Sequence, residues 1–221
     1  MKMINRLFPS LITAPDDLKI PDLNGLKNPW ELFSPSSGKK LISQISDKIM
    51  PDLVDYDAYR DVRFEERNGP IYIHPMAKIE EFVKIEGPCY IGKNAEIRHS
   101  AYLRGGTWIS EGGVVGHSSE VKNSLFLPGA KAPHFNYVGD SILGEKVNLG
   151  AGVKISNVRN DGLEIRIRDD SGEFTLTGLR KFGALIGDGV ELGCNTVTNP
   201  GTIISPKLKI NPNSVLKGWI Q

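Results

Sequence analysis

Residues 71–121 read IYIHPMAKIEEFVKIEGPCYIGKNAEIRHSAYLRGGTWISEGGVVGHSSEV, and in them an aliphatic side chain returns at every sixth position: Ile73, Ile79, Ile85, Ile91, Ile97, Leu103, Ile109, Val115 and Val121. A period of six fits neither the 3.6 of an α-helix nor the 2.0 of an isolated strand, so it describes a repeating supersecondary unit. The unit is one side of a parallel β-helix coil. A small or short residue follows each aliphatic by four places, as at Val83, Cys89, Ala95, Ala101, Thr107, Gly113 and Ser119, and both sets are predicted to point inward. The residue directly after the aliphatic is often glycine (Gly92, Gly116, Gly139, Gly144, Gly150, Gly187, Gly193), where a corner benefits from a missing Cβ. Three such hexads close a triangular coil of 18 residues.

Outward from this stretch the count continues with two slips. After Val121 it moves by one to Phe126, Ala132 and Val138, and a second five-residue side leads to Leu143, Leu149 and Ile155. It restarts at Ile186, Leu192, Thr198, Ile204, Ile210 and Leu216, so the stack spans 71–221 with an insertion at 158–180. The insertion alternates through Leu163, Ile165 and Ile167, turns over Asp169 to Gly172 and resumes at Phe174 and Leu176, the pattern of a β-hairpin protruding from the stack. Residues 1–70 lack the hexad and carry Pro9, Pro15, Pro21, Pro29, Pro35 and Pro51. They read as short helices and loops, with Trp30, Leu32 and Phe33 as packing anchors and Lys40 to Met50 as the best helix.

With 221 residues, 39% hydrophobic content and a net charge of +1, the chain has room for one sizeable domain and a small appendage. No strong basic patch argues for nucleic acid. Cys89 and Cys194 are far apart, and Cys89 falls at an inward hexad position, so neither speaks for a disulfide or an oxidising compartment. The apolar start is broken by Asn5, Arg6, Pro9 and Ser10, and no run of 18 apolar residues occurs; neither a signal peptide nor a membrane span is expected, and the expected location is the cytoplasm.

Residues one coil apart lie over one another at roughly 4.8 Å, the inter-strand spacing of a sheet. Arg104 and Lys122, 18 apart, are thereby predicted to stack. Like charges so opposed are unfavourable unless an anion bridges them, which leaves two readings: a phosphate site, or two solvated side chains splaying apart. His99, His117 and His134 form a ladder at intervals of 18 and 17, open to metal ligation or to one catalytic imidazole among structural neighbours. Glu120 and Tyr137, 17 apart, fall beside the same corner, so one surface gathers a carboxylate, a phenol, two cations and an imidazole.

At these residues the chain resembles the left-handed β-helix acetyltransferase domain of the bacterial bifunctional glucosamine-1-phosphate N-acetyltransferase and N-acetylglucosamine-1-phosphate uridyltransferase. The likeness is carried by Arg104, Glu120-Val121-Lys122, His134, Tyr137, Gly139-Asp140 and Val147-Asn148-Leu149-Gly150-Ala151-Gly152, and covers about residues 73–204. It implies a mainly β, left-handed parallel β-helix, a departure from the usual right-handed crossover. It also implies an acetyl-CoA-dependent transfer to glucosamine-1-phosphate, supplying UDP-N-acetylglucosamine for the cell envelope. Under it Arg104 and Lys122 look like the sugar-phosphate clamp, Tyr137 and Asn148 like sugar contacts, Lys181 like a further substrate lysine, and His134 like the general base. Ala151, Asn157 and Cys194 correspond to positions along acetyl-CoA, Cys194 standing where the bacterial enzymes commonly have serine. A homotrimer with sites between protomers is implied as well.

The chemistry suits these roles. An amino-sugar amine must lose a proton to attack a thioester, and imidazole is suited to take it. Glu120, if it reaches His134, would fix the tautomer and steady the imidazolium, while a backbone amide near Ala151 would face the thioester oxyanion.

The departures are the 158–180 insertion after Asn157-Val158-Arg159, an end soon after Leu216 without the family's basic tail, and no uridyltransferase domain. Residues 1–70 are too short for a nucleotide-binding domain and hold no glycine-rich phosphate loop, so a separate uridyltransferase is a possible partner. Asn28-Pro29-Trp30-Glu31-Leu32-Phe33 looks like a linker motif of sugar nucleotidyltransferases that carry the same β-helix. Two rivals stand beside the enzyme reading: a non-catalytic β-helix that binds a sugar nucleotide or a partner, and a metalloenzyme like the γ-class carbonic anhydrases. The latter carry histidines five residues apart, a pair this chain lacks, and no metal is expected.

Overall fold

A computed structural model describes residues 2–48, 54–168 and 173–221. Three parallel sheets of eight, eight and seven strands form the sides of a triangular prism, and the chain visits them in turn. The first sheet runs Arg63–Glu65, Lys84–Glu86, Tyr102–Leu103, Glu120–Lys122, Tyr137–Gly139, Lys154–Ile155, Val197–Thr198, Val215–Leu216. The second begins at Ile71–Ile73 and ends at Trp219–Ile220; the third begins at Lys78–Ile79 and ends at Lys209–Ile210. This is the β-helix of hexapeptide repeats expected from the period, in the left-handed form that the resemblance implies.

The inward hexad residues form one column of core. Ile85, Ile91, Ile97, Leu103, Ile109, Val115 and Val121 are all fully buried, as are Cys89, Ala95 and Thr107 between them. Both slips appear as expected: Phe126 pairs with Ile109 and Leu143 with Phe126, each 17 residues on, so the shortened side lies in the second sheet. The glycines after the aliphatics answer to close approach of neighbouring coils. A Cβ on Gly116 would lie 1.7 Å from the Pro133 carbonyl oxygen. The left-handed residues sit elsewhere, two or three places after the aliphatic; one corner is made by Phe82, Ser100, Ser118, Phe135, Gly152, Asn195 and Asn213, all with positive φ.

A second core lies outside the prism. The outward residues of the second sheet are apolar (Trp108, Leu125, Ile142, Leu185, Ile203) and are buried by the N-terminal segment. That segment carries helix α1 (Met3–Leu7), two 3-10 turns at Pro9–Ile12 and Pro29–Phe33, and helix α2 (Leu41–Lys48). A capping box fixes the second turn, the Asn28 amide N–H donating to the Glu31 carboxylate at 3.1 Å. Trp30, Leu32 and Phe33 are buried anchors, and α2 matches the expected helix up to residue 48, the remainder lying outside the described residues.

The insertion differs from the expectation of a protruding hairpin. Strands Arg166–Arg168 and Phe174–Leu176 pair antiparallel, and the turn over residues 169–172 lies outside the described residues. Ile165, Ile167, Leu179 and Phe182 are buried in the second core, so the hairpin lies back against the stack. The first strand's alternation is the cause, since Ile165 and Ile167 need cover; Leu163 and the second strand's Phe174 and Leu176, expected on the same apolar face, are exposed, the latter two opposite Arg168 and Arg166.

Phe182 joins the three parts, with its ring 6.3 Å from Trp30 and 6.1 Å from Phe33. Phe182→Ala should destabilise the fold by about 3–5 kcal/mol in denaturant unfolding, the range for a truncated buried aromatic ring. A loss below about 1 kcal/mol would mean that the second core collapses around the gap.

Candidate active site

Two outward columns run up the first sheet. One holds Lys84, Tyr102, Glu120, Tyr137 and Lys154, joined as register partners. The other holds Glu86, Arg104, Lys122 and Gly139, the last two being Lys122↔Gly139 partners. Arg104 and Lys122 are successive cations in the second column, and charges of opposite sign pair between the columns and with the turn beyond them. The Lys84 ammonium donates to Glu86 at 2.6 Å, and the Tyr102 hydroxyl donates to the same carboxylate oxygen at 2.5 Å.

Arg104 and Lys122 are therefore not a bare pair of stacked cations. Arg104 Nη1 donates to Glu120 Oε1 at 3.0 Å, and Lys122 Nζ donates to both Asp140 oxygens at 3.2 and 3.1 Å. Each cation has a protein carboxylate, which removes the repulsion that had seemed to demand a bound anion. The Arg104 pair is about two-fifths exposed on either side and open to competition; in the Lys122 pair the Asp140 side chain is only 4% exposed.

Gly139 ends the second column because space is needed there. A Cβ would lie 2.7 Å from Asn157 Nδ2 and 2.9 Å from the Tyr137 hydroxyl. Asn157 is buried, its amide donating to Asp140 and its oxygen facing the Tyr137 hydroxyl at 3.5 Å. The Asn157 side chain, expected along the cofactor, is hydrogen-bonded within the network behind Lys122.

His134 lies at the corner that leads into this sheet. Its imidazole is exposed and makes no hydrogen bond or ion pair among the described residues, while its backbone N–H donates to Asn136 Oδ1 at 2.9 Å. Glu120 does not contact it; its carboxylate is turned along the sheet to Arg104 because both point outward from adjacent coils. The ladder is real in part: the rings of His99 and His117 stack at 5.4 Å, and His134 is the register partner of His117, but Phe135 packs edge-on against His117. Among the described residues no three histidine, cysteine or acidic side chains are grouped to hold a metal.

Ala151 and Cys194 continue the corner above His134. The Gly152 N–H donates to the His134 carbonyl at 3.0 Å, and the Asn195 N–H to that of Ala151 at 2.8 Å. The Ala151 N–H has no acceptor among the described residues, and Cys194 is exposed. Lys181 is exposed at the base of the hairpin, bridged to Val158. Asn148 is exposed on the third sheet between Lys131 and Glu191, so it does not share the face of Arg104, Lys122 and Tyr137. Lys84, Glu86 and Tyr102 were missed from sequence, although they lie one coil before Tyr102, Arg104 and Glu120 and the same count reaches them, while Asp140 was named only as part of the likeness and given no role.

Stacked hexapeptide coils bearing this column of paired charges define a hexapeptide-repeat β-helix protein. Within that class the chain belongs to the family described as the GMPPB C-terminal domain, whose model matches residues 85–220. It is 42% identical over 97 residues to a bifunctional sugar-1-phosphate nucleotidylyltransferase/acetyltransferase of Sulfurisphaera tokodaii, a match covering 44% of this chain and 24% of the relative. The bifunctional protein GlmU of Methanococcus aeolicus is 33% identical over 102 residues, 46% of this chain and 24% of the relative. The chain thus spans about a quarter of these relatives' length. A GDP-perosamine N-acetyltransferase of Caulobacter crescentus, solved with CoA and GDP-perosamine, overlays 72% of this chain and 51% of its own at 14% identity with a TM-score of 0.26, too low to bear on the argument. No helix among the described residues is long and apolar enough to cross a membrane.

Burial, with the nearby Glu120 and Asp140 carboxylates, raises the Tyr137 phenol above its ordinary value of 10.0. The folded state then holds this proton where the unfolded chain would release it. The stability that Tyr137 contributes should be complete below about pH 10 and fall as pH rises further. Denaturant unfolding between pH 9 and 11 should show that decline, and Tyr137→Phe should make it shallower; an identical slope in the variant would contradict the assignment.

Proposed function

We propose that the protein is an acetyl-CoA-dependent N-acetyltransferase whose acceptor is an amino sugar phosphate, glucosamine-1-phosphate, and that it works in the cytoplasm. The observation that carries this reading is the meeting of the Arg104, Glu120, Lys122 and Tyr137 face with the corner that bears an unpaired, exposed His134. His134 takes the proton of the attacking amine, and the free Ala151 N–H on the next coil faces the thioester oxyanion. The exposed Arg104 pair opens to the sugar phosphate, since a bidentate phosphate contact can replace a solvated carboxylate. The 42% identical archaeal relative, named for both transfer reactions, supports the choice. Coenzyme A runs up the corner past Ala151 and Cys194.

The functional unit in this reading is a homotrimer. Asn148 lies on the third sheet, away from the clamp, and a closed threefold assembly can set that face of one protomer against the first sheet of the next. Sedimentation equilibrium should give three times the 24.3 kDa of the chain; an active monomer would sink this arrangement.

A second reading is a β-helix that binds a sugar nucleotide or a partner without catalysis. It is favoured by the internal pairing of both clamp cations and by a family description that names a domain and no activity. Steady-state kinetics separates the two. Arg104→Ala should raise KM for glucosamine-1-phosphate about tenfold, or ~1.4 kcal/mol, with kcat changed far less. An unaltered KM would return Arg104 to the surface charge of the second reading.

A further inference from the structure

Behind the clamp lies a carboxylate that the proposed chemistry does not use. Asp140 closes the turn after the strand Tyr137–Gly139 with a left-handed backbone, φ +48°, and its side chain is almost wholly enclosed. Both oxygens are occupied: Oδ1 accepts from Asn123 Nδ2 at 2.8 Å, Oδ2 accepts from Asn157 Nδ2, and Lys122 Nζ donates to both. The main chain locks the same place, the Asp140 N–H donating to the Lys122 carbonyl and the Gly183 N–H to that of Asp140, each at 2.9 Å. Asn157 in turn stands at the base of the inserted hairpin, its carbonyl accepting from the Phe182 N–H at 2.9 Å next to the Val158–Lys181 bridge.

A lysine side chain on a sheet surface has four rotatable bonds, and its position is set by whatever its ammonium meets. Lys122 meets a buried, fully coordinated anion, so its position is fixed before any substrate arrives. We propose that Asp140 is a positioning residue that sets the Lys122 ammonium for an anionic substrate group and couples it, through Asn157, to the base of the 158–180 hairpin. This rests on the transferase reading for what Lys122 binds, but not for the positioning itself. The insertion, in this account, is a brace for the substrate face.

Two readouts keep those parts apart. The first needs no activity: modification of Lys122 by N-hydroxysuccinimidyl acetate, followed by mass spectrometry on the folded protein. Asp140→Asn keeps the size and tolerates the left-handed backbone but removes the charge; it should speed Lys122 modification about tenfold relative to the other lysines, because breaking an enclosed ion pair frees the ammonium. Asn157→Ala, which leaves the ion pair but removes one brace, should speed it by a smaller factor, and serves if the first variant fails to fold. The second readout is kinetic: KM for glucosamine-1-phosphate should rise about fivefold in Asp140→Asn, with kcat and the acetyl-CoA KM within about twofold. An unchanged modification rate in folded Asp140→Asn, or in Asn157→Ala if that alone folds, overturns the positioning role. Faster modification in a protein that transfers no acetyl group upholds positioning and overturns only the transferase reading.

Discussion

In-register parallel stacking of the coils is the constraint on which the rest of this structure depends. Strands hydrogen-bond to those a coil below and a coil above, so an outward residue is held over its counterpart, 17 or 18 positions away through most of the stack and 43 away across the insertion. Inside, this gives a continuous aliphatic column with no edge to the core. Outside, it turns sequence into columns, and a column of alternating charge is stable where a column of like charge is not. On the first sheet Arg104 and Lys122 follow one another in a column, and the like charge is offset because each cation finds a carboxylate on an adjacent coil, Glu120 and Asp140 respectively.

The same stacking made much of the molecule legible from sequence. The hexad placed the core, the slips after Val121 and the corner of His134 without error, because a β-helix leaves a side chain few choices once its place in the coil is known. Side-chain pairing was less legible. Counting brought Glu120 near both Tyr137 and His134, but a carboxylate takes the nearest strong donor, and that is the guanidinium of Arg104. Asn157 was assigned by likeness to a cofactor position; the insertion that follows it in this chain places Phe182 and Lys181 against it, and its side chain turns inward to Asp140. The second core was only half visible, since Trp30, Leu32 and Phe33 announced anchors while their counterparts Trp108, Leu125 and Leu185, each directly before a hexad aliphatic, recur once per coil and were overlooked.

The site that results is divided by burial. Arg104 and His134 reach solvent, whereas Lys122, Asp140 and Asn157 form a closed network that joins the first sheet's outer face to the base of the hairpin. Such a division suits a catalyst, which needs a rigid support beneath exposed reacting groups.

The central claim is that His134 removes a proton from an acceptor amine. It is tested most directly by free thiol release from acetyl-CoA with glucosamine-1-phosphate as acceptor, comparing the unaltered protein with His134→Ala. The account predicts acceptor-dependent thiol release that falls at least about a hundredfold in the variant, the scale of a lost general base. Equal release by the two proteins, or none from the unaltered protein, would contradict it.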